Sequence, residues 1–198
     1  GQIGCGAHTD WGALTLLAQD DAGGLQVKRA DGSWLDVQPL PGALVVNTGD
    51  MMQRWTNDRW RSTMHRVINR HAGRERWSIA YFFDLDAEAS IEPLPTCVSA
   101  KNTARYGPIT AGEHLVEMYR RTKETGVITS LDMAMPDPNG PSGQVDWRRV
   151  LERALPHVDL FLPSLDELLF MLRRYVPPPP IPADSIISDV AAEMLGMG

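Results

Sequence analysis

His8-Thr9-Asp10-Trp11-Gly12-Ala13-Leu14-Thr15-Leu16-Leu17 decides how the rest of this chain is read. Residues two apart on an extended segment point to the same side. The imidazole of His8 and the carboxylate of Asp10 can therefore reach a single ion. Past Gly12 the run turns apolar and β-prone, and a strand is expected over 14–19.

Working outward, further strands are expected over 25–29, 34–39, 43–47, 63–69 and 77–84, each bounded by Gly, Asp, Asn or Pro. Asp31-Gly32 signals a tight turn and His71-Ala72-Gly73 a second hairpin. Closely spaced short strands with no long helix between them predict a mostly β core, a sandwich or jelly roll. After Pro108, Thr110 and Glu113 form a capping-box pattern for a helix running to about Lys123. Leu115, Met118 and Tyr119 supply its apolar face.

From Gly126 the order changes. A buried strand is expected over 127–133, followed by a Pro/Gly/Asn-rich loop. A helix over 147–155 capped by Asp146, a strand over 159–162 and a helix over 165–172 come next. That alternation is the habit of an α/β layer with a parallel sheet. A polyproline spacer at Pro177–Pro180 precedes a last helix starting near Ala183. The composition shift at 122–126 predicts two parts, 1–122 and 123–198.

Bulk composition narrows the function classes. Of 198 residues, 43% are hydrophobic and 22% charged, as in an ordinary globular protein. A net charge of −6 with scattered basic residues argues against nucleic acid or an anionic membrane as partner. Cys5 and Cys97 make no disulfide framework, so a reducing, cytoplasmic setting is expected. No apolar run is long enough to span a bilayer, and the first residues do not read as a signal peptide. Without an initiator Met, the chain is expected to be a truncated piece of something longer.

A His-x-Asp pair alone arises often by chance. Here a second imidazole, His65, lies in the strand-like run Thr63-Met64-His65-Arg66-Val67. Two imidazoles and one carboxylate on one face of an octahedron make the facial triad of non-haem Fe(II) oxygenases, with open positions for O₂ and a chelating co-substrate. Structural zinc takes a fourth ligand, commonly Cys, and no Cys-x-x-Cys exists here. His71, His114 and His157 read as turn or helix residues with no metal role. On the next strand-like run, Arg76 and Ser78 share a face. A guanidinium fork with a hydroxyl beside it can hold the far carboxylate of a dicarboxylic keto acid whose near end chelates the metal. Taken singly, each would read as an ordinary surface residue.

Residues 1–122 resemble the C-terminal catalytic half of the isopenicillin-N-synthase-like 2-oxoglutarate/Fe(II) dioxygenases. Besides the opening run, the resemblance is carried by Gly23-Gly24-Leu25-Gln26-Val27, Val46-Asn47-Thr48-Gly49-Asp50 and Trp55-Thr56-Asn57. Arg61-Ser62-Thr63-Met64-His65-Arg66-Val67, Arg76-Trp77-Ser78-Ile79 and Pro108-Ile109-Thr110-Ala111-Gly112-Glu113 complete it. It implies a double-stranded β-helix with iron held by His8, Asp10 and His65 and 2-oxoglutarate by Arg76 and Ser78. It also implies O₂-dependent oxidation of an unactivated C–H bond in a small organic substrate, with release of succinate and CO₂ and with ascorbate as a reductant. The family's preceding jelly-roll strands and helices are expected to be missing. That leaves open a second reading, a non-catalytic fusion product that keeps a metal site.

Residues 123–198 resemble part of a ribokinase-like (PfkB) carbohydrate kinase. Gly126-Val127-Ile128-Thr129-Ser130-Leu131-Asp132 is similar to that fold's central strand. Leu160-Phe161-Leu162-Pro163-Ser164-Leu165-Asp166-Glu167-Leu168 is similar to its strand and helix with an Asn-x-x-Glu motif. Ser164 replaces the Asn, and the resemblance gives Glu167 a place in organising magnesium and phosphate. The family's catalytic Gly-Ala-Gly-Asp loop is absent, so no sugar phosphorylation is expected.

Overall fold

Period-two alternation builds the first part of the chain, as a computed structural model describing residues 3–70, 73–172 and 184–197 shows. The turn at His71-Ala72, the run Pro177–Pro180 and the expected helix start at Ala183 lie outside the described residues. Contacts divide the chain into two units, residues 1–111 and 112–198.

In the first unit, β1 (Ile3–His8), β3 (Leu25–Lys28), β4 (Trp34–Asp36) and β6 (His65–Ile68) form an antiparallel sheet ordered β1-β6-β3-β4. A second antiparallel sheet is ordered β5-β2-β7, from β2 (Leu14–Gln19), β5 (Val45–Thr48) and β7 (Ser78–Phe83). Alternate residues of both sheets line one cavity of about 600 Å³: Val27, His65 and Val67 from the first, Thr15, Asn47 and Ser78 from the second. Two antiparallel sheets enclosing a side-chain-lined cavity are the expected jelly-roll arrangement.

The outward face of the first sheet is polar and cross-linked. Gln26 is registered against both Asp36 and Arg66; it donates to Asp36 Oδ1 at 2.9 Å and accepts from Arg66 Nε at 2.8 Å. The Arg66 guanidinium lies 4.0 Å over the Trp34 ring. By contrast, Val46, Ile79, Tyr81 and Phe83 of the second sheet, whose strand neighbours Asn47, Ser78, Ala80 and Phe82 line the cavity, lie exposed.

The strands are shorter than expected where pairing runs out. β4 ends at Asp36, and the last backbone bond toward β3 runs from Val37 N–H to Leu25 O at 2.9 Å, at the very start of that strand. The Asp31-Gly32 turn forms as expected: Gly32 has φ 84°, and Asp31 Oδ1 accepts from the Ser33 amide at 2.9 Å.

Helix α1 (Asp50–Trp55) was not anticipated. Its buried Met51 packs with Ile91 and Ala111 in a small core flanked by Trp11, Trp55 and Ile109. The first-turn amides take up the chain just after β1: Asp50 N–H donates to Asp10 O at 2.8 Å and Met51 N–H to Gly12 O at 3.1 Å. Gly49 must stay small for this approach, since a Cβ there would lie 2.2 Å from Gly12 O and 2.9 Å from Asp10 O. Gly49→Ala is expected to destabilise the first unit by about 1–3 kcal/mol, the usual cost of overpacking. Denaturant titration of parent and variant checks it; equal midpoints would contradict the close approach.

Trp55-Thr56-Asn57 closes the helix. Asn57 takes a left-handed φ of 51°, and its buried amide donates to Thr103 O at 3.1 Å and accepts from Arg105 N at 3.0 Å. The next residue, Asp58, accepts from Tyr106 Oη at 2.6 Å and Arg105 Nη1 at 2.8 Å. The Tyr106 hydroxyl first, then Arg105 and Gln53, hold its carboxyl below the usual range. Strands β8 (Ser90–Ile91) and β9 (Ile109–Thr110) form a two-stranded antiparallel pair at the end of the unit.

The unit boundary falls at Ala111–Gly112, earlier than the composition shift at 122–126. Helix α2 (Ala111–Glu124) is the reason. Past its buried first residue the helix bonds to later parts of the chain: Tyr119 Oη donates to Ser130 O at 3.1 Å, and Arg153 reaches Glu113 at 3.4 Å. Composition marks where the style of the sequence changes, which need not be where contacts change.

The second unit has the expected alternation. β10 (Ser130–Leu131) pairs in parallel with β11 (Leu160–Phe161), with α3 (Trp147–Ala154) between them in sequence. Leu151, Leu155, Leu169, Met171, Leu172 and Val190 form the core with α4 (Leu165–Met171) and α5 (Asp184–Leu195). The strand expected over 127–133 is cut to Ser130–Leu131, and Val127 and Ile128 are exposed at 55% and 73%. A strand needs a ladder partner, and β11 supplies only two residues. Asp146 caps α3 by accepting from Arg149 N–H at 3.3 Å, as expected. Ser164 and Glu167 form a reciprocal capping box on α4: Ser164 N–H donates to Glu167 Oε2 at 2.6 Å and Glu167 N–H to Ser164 Oγ at 3.3 Å. Glu167 is thus the third residue of a capping box at the start of α4. Among the described residues, no helix is long and apolar enough to cross a membrane.

Candidate metal centre and carboxylate site

His8 ends β1 and His65 begins β6, and the two are registered directly opposite each other. Cross-strand neighbours on one face bring their side chains together, and the ring centroids lie 4.2 Å apart. Asp10 follows β1 with its carboxylate buried at 9% exposure. Its Oδ1 is 3.7 Å from His8 Nε2 and 3.6 Å from His65 Nε2. One ligand atom from each of the three residues falls within 4.8 Å of the others, the only such group of His, Cys, Asp and Glu among the described residues.

The ring orientations suit a metal. His8 Nδ1 sits 2.8 Å from Gly6 O and His65 Nδ1 3.0 Å from Thr63 O. A carbonyl only accepts, so each Nδ1 carries the proton and each Nε2 presents a lone pair. Backbone partners of this kind fix the tautomer of ligating histidines. The Asp10 carboxylate is similarly divided. Oδ2 accepts from Thr15 Oγ1 at 2.7 Å and Asn47 Nδ2 at 2.5 Å, while Oδ1 faces the two imidazoles. Two nitrogens and one oxygen converging from one side form the donor set of a facial 2-His-1-carboxylate site for Fe(II).

Arg76 and Ser78 line the same cavity as the three candidate ligands. The guanidinium is braced: Nε donates to Gly23 O at 2.8 Å, Nη2 to Gln19 Oε1 at 3.3 Å and Nη1 to Ser78 Oγ at 3.0 Å. Gln19 and Ser78 are a registered pair of β2 and β7, so the sheet itself sets the position of the fork. The wall between the polar ends is apolar, with Leu17, Leu25, Val27, Val45, Val67 and Phe82. Such a chamber can seat a short dianion with one end at the three ligands and the other at the guanidinium.

All five residues expected from sequence therefore border one cavity. Sequence reasoning missed Thr15, Asn47 and Gln19. Thr15 carried a signal, a polar residue at an inward position of an apolar strand. Asn47 carried a weaker one, since its run was recognised without a role being assigned to it. Cys5 and Cys97 are both free thiols.

Residues 1–85 match the model of the 2OG-Fe(II) oxygenase superfamily. A relative from Emericella nidulans, the 2-oxoglutarate-Fe(II) type oxidoreductase hxnY, is 49% identical over 120 residues, covering 60% of this chain and 34% of its own. A rice homoarginine-6-hydroxylase is 42% identical over 116 residues, covering 58% of this chain and 35% of its own. Among solved structures, a full-length Neurospora crassa protein in complex with alpha-KG has a TM-score of 0.55 at 41% identity, covering 60% of this chain and 38% of that one. The chain spans about a third of the length of the curated relatives it matches.

Proposed function

We propose that the first unit, whose residues 1–85 are a 2OG-Fe(II) oxygenase segment, serves a dioxygenase that oxidises an unactivated C–H bond of a small organic substrate. His8, Asp10 and His65 hold Fe(II), and Arg76 with Ser78 holds the far carboxylate of 2-oxoglutarate. The observation that carries this reading is the convergence of the three ligand atoms within 4.8 Å in the cavity that Arg76 and Ser78 also line. Relatives support it: the Neurospora crassa protein was crystallised with alpha-KG and, in another structure, with alpha-KG and thymine.

When bound, Fe(II) and 2-oxoglutarate supply the oxidising chemistry, with O₂ consumed and succinate and CO₂ released. The residues of this chain position both. The Nδ1 protons of His8 and His65 stay on backbone carbonyls, keeping both Nε2 atoms free to ligate. Arg76, braced on three sides, offers its fork to a carboxylate without first having to order itself. Apolar residues from both sheets, among them Leu17, Val27, Val45 and Val67, line the space between. A reducing, cytoplasmic setting, proposed from the two free cysteines, suits Fe(II).

For residues 123–198 the ribokinase-like reading rests on the sequence runs and on the βαβ order of β10, α3 and β11. Without that family's catalytic Gly-Ala-Gly-Asp loop in the sequence, no sugar phosphorylation is expected of it.

The test supplies the purified chain with Fe(II), ascorbate, 2-oxoglutarate and O₂ and measures succinate, with His65→Ala as blank. Succinate above the blank is expected. Succinate equal to the blank would overturn catalysis by this chain and favour a metal-binding product without turnover.

A further inference from the structure

We infer that Thr15 and Asn47 are positioning residues that hold Asp10 as a one-oxygen ligand, an inference that rests on the metal reading above. The two lie directly opposite each other on adjacent strands, β2 and β5, and both face the cavity. Their donors converge on one atom, Asp10 Oδ2, at 2.7 and 2.5 Å. Asp10 and Thr15 are 9% and 7% exposed, so water offers little substitute for either contact.

A free carboxylate can use one oxygen or both. With Oδ2 committed to a hydroxyl and an amide, Oδ1 alone remains directed at the space shared with the two Nε2 atoms. Using both oxygens would take up a coordination position that a chelating keto acid or O₂ requires. The arrangement also fixes a residue that lies outside any strand: Asp10 follows β1, and its backbone is held separately by α1. Thr15 and Asn47 transfer the rigidity of the second sheet to a ligand attached to the first. Neither is expected to touch the metal.

The test uses Co(II) as the probe, because its visible absorption reports coordination number directly. Co(II) is titrated into the parent, Thr15→Val, Asn47→Ala, the double variant and Thr15→Ser, with thermal unfolding of each metal-free protein recorded alongside. Loss of either donor is expected to weaken Co(II) binding by roughly 10–100-fold, the range for removing an outer partner of a ligand. The visible spectrum should change in the same variants. The double variant should lose less than the product of the two single effects, because both donors serve one oxygen. Thr15→Ser keeps the hydroxyl and should keep parent affinity and spectrum, which a purely packing role for Thr15 would not require. Should Thr15→Val fail to fold, Asn47→Ala and Thr15→Ser decide the question. Parent-like affinity and spectrum in Asn47→Ala overturns the inference, as does a Thr15→Ser spectrum altered as much as that of Thr15→Val. Parent and His65→Ala binding Co(II) equally well is a different outcome, and it overturns the metal site itself.

Discussion

His65→Ala is expected to weaken Fe(II) or Co(II) binding by more than ~100-fold, beyond the range seen when an outer partner of a ligand is lost. The remaining His8 and Asp10 cannot define a facial set. The fold should survive, because His65 faces a cavity and its Nδ1 contact is to the nearby Thr63 carbonyl. The readout separates the two effects. Metal at 100 times its dissociation constant stabilises a binding protein by about 2.7 kcal/mol, which raises the melting temperature of a domain this size by several degrees. The parent should show that rise and His65→Ala should not, while their metal-free transitions lie close together. A metal-dependent rise of equal size in both would remove His65 from the site.

The candidate ligands are legible in the sequence and their support is not, for a physical reason. His8-x-Asp10 and Arg76-x-Ser78 have the spacing of two that puts side chains on one side of an extended segment, so each pair is legible locally, although Asp10 and Arg76 themselves lie just outside β1 and β7. Joining His65 to the first pair needed the chemistry of a metal, which supplies a reason for distant residues to meet. Thr15 and Asn47 act through a strand register, Thr15 opposite Asn47, that no local pattern encodes. Helix α1 is not legible in the sequence because its six residues, Asp-Met-Met-Gln-Arg-Trp, are too few to show a helical period. It exists through tertiary contacts, Met51 in its core and the first-turn amides on Asp10 and Gly12. In the second unit the start of α3 is legible because Asp146 caps it with a side chain visible in the sequence, while the cap that Ser164 gives α4 emerges only in the structure. The strand expected over 127–133 forms only at Ser130–Leu131 because an apolar run states a preference for burial and says nothing about whether a partner strand is available. Ser164-Leu165-Asp166-Glu167 also has the spacing of a capping box, and the structure forms one there.

Arg76→Lys is expected to weaken 2-oxoglutarate binding by roughly 10–100-fold, matching the 1.5–3 kcal/mol of a hydrogen bond to a charged group. Charge is conserved in this exchange, so the loss isolates geometry. The guanidinium is planar and can spend Nε on Gly23 O and edges of its two terminal nitrogens on Gln19 and Ser78 while still presenting two parallel N–H bonds to a carboxylate. An ammonium has three donors on one atom and cannot satisfy the sheet and a ligand in that manner. The three fixed acceptors would compete with the ligand for it. Ser78→Ala removes one neutral contact and should cost less, about 0.5–1.5 kcal/mol. Neither substitution reaches His8, Asp10 or His65, so Co(II) affinity measured without 2-oxoglutarate should stay at the parent value in both. Titrating 2-oxoglutarate into the Co(II)-loaded proteins by calorimetry provides the comparison. Parent-like affinity in Arg76→Lys would assign the far carboxylate to some other cation, with Arg74, which lines the same cavity, next to test. A drop in Co(II) affinity alongside the drop in 2-oxoglutarate affinity would instead mean that Arg76 supports the sheet around the triad, and its role would be architectural.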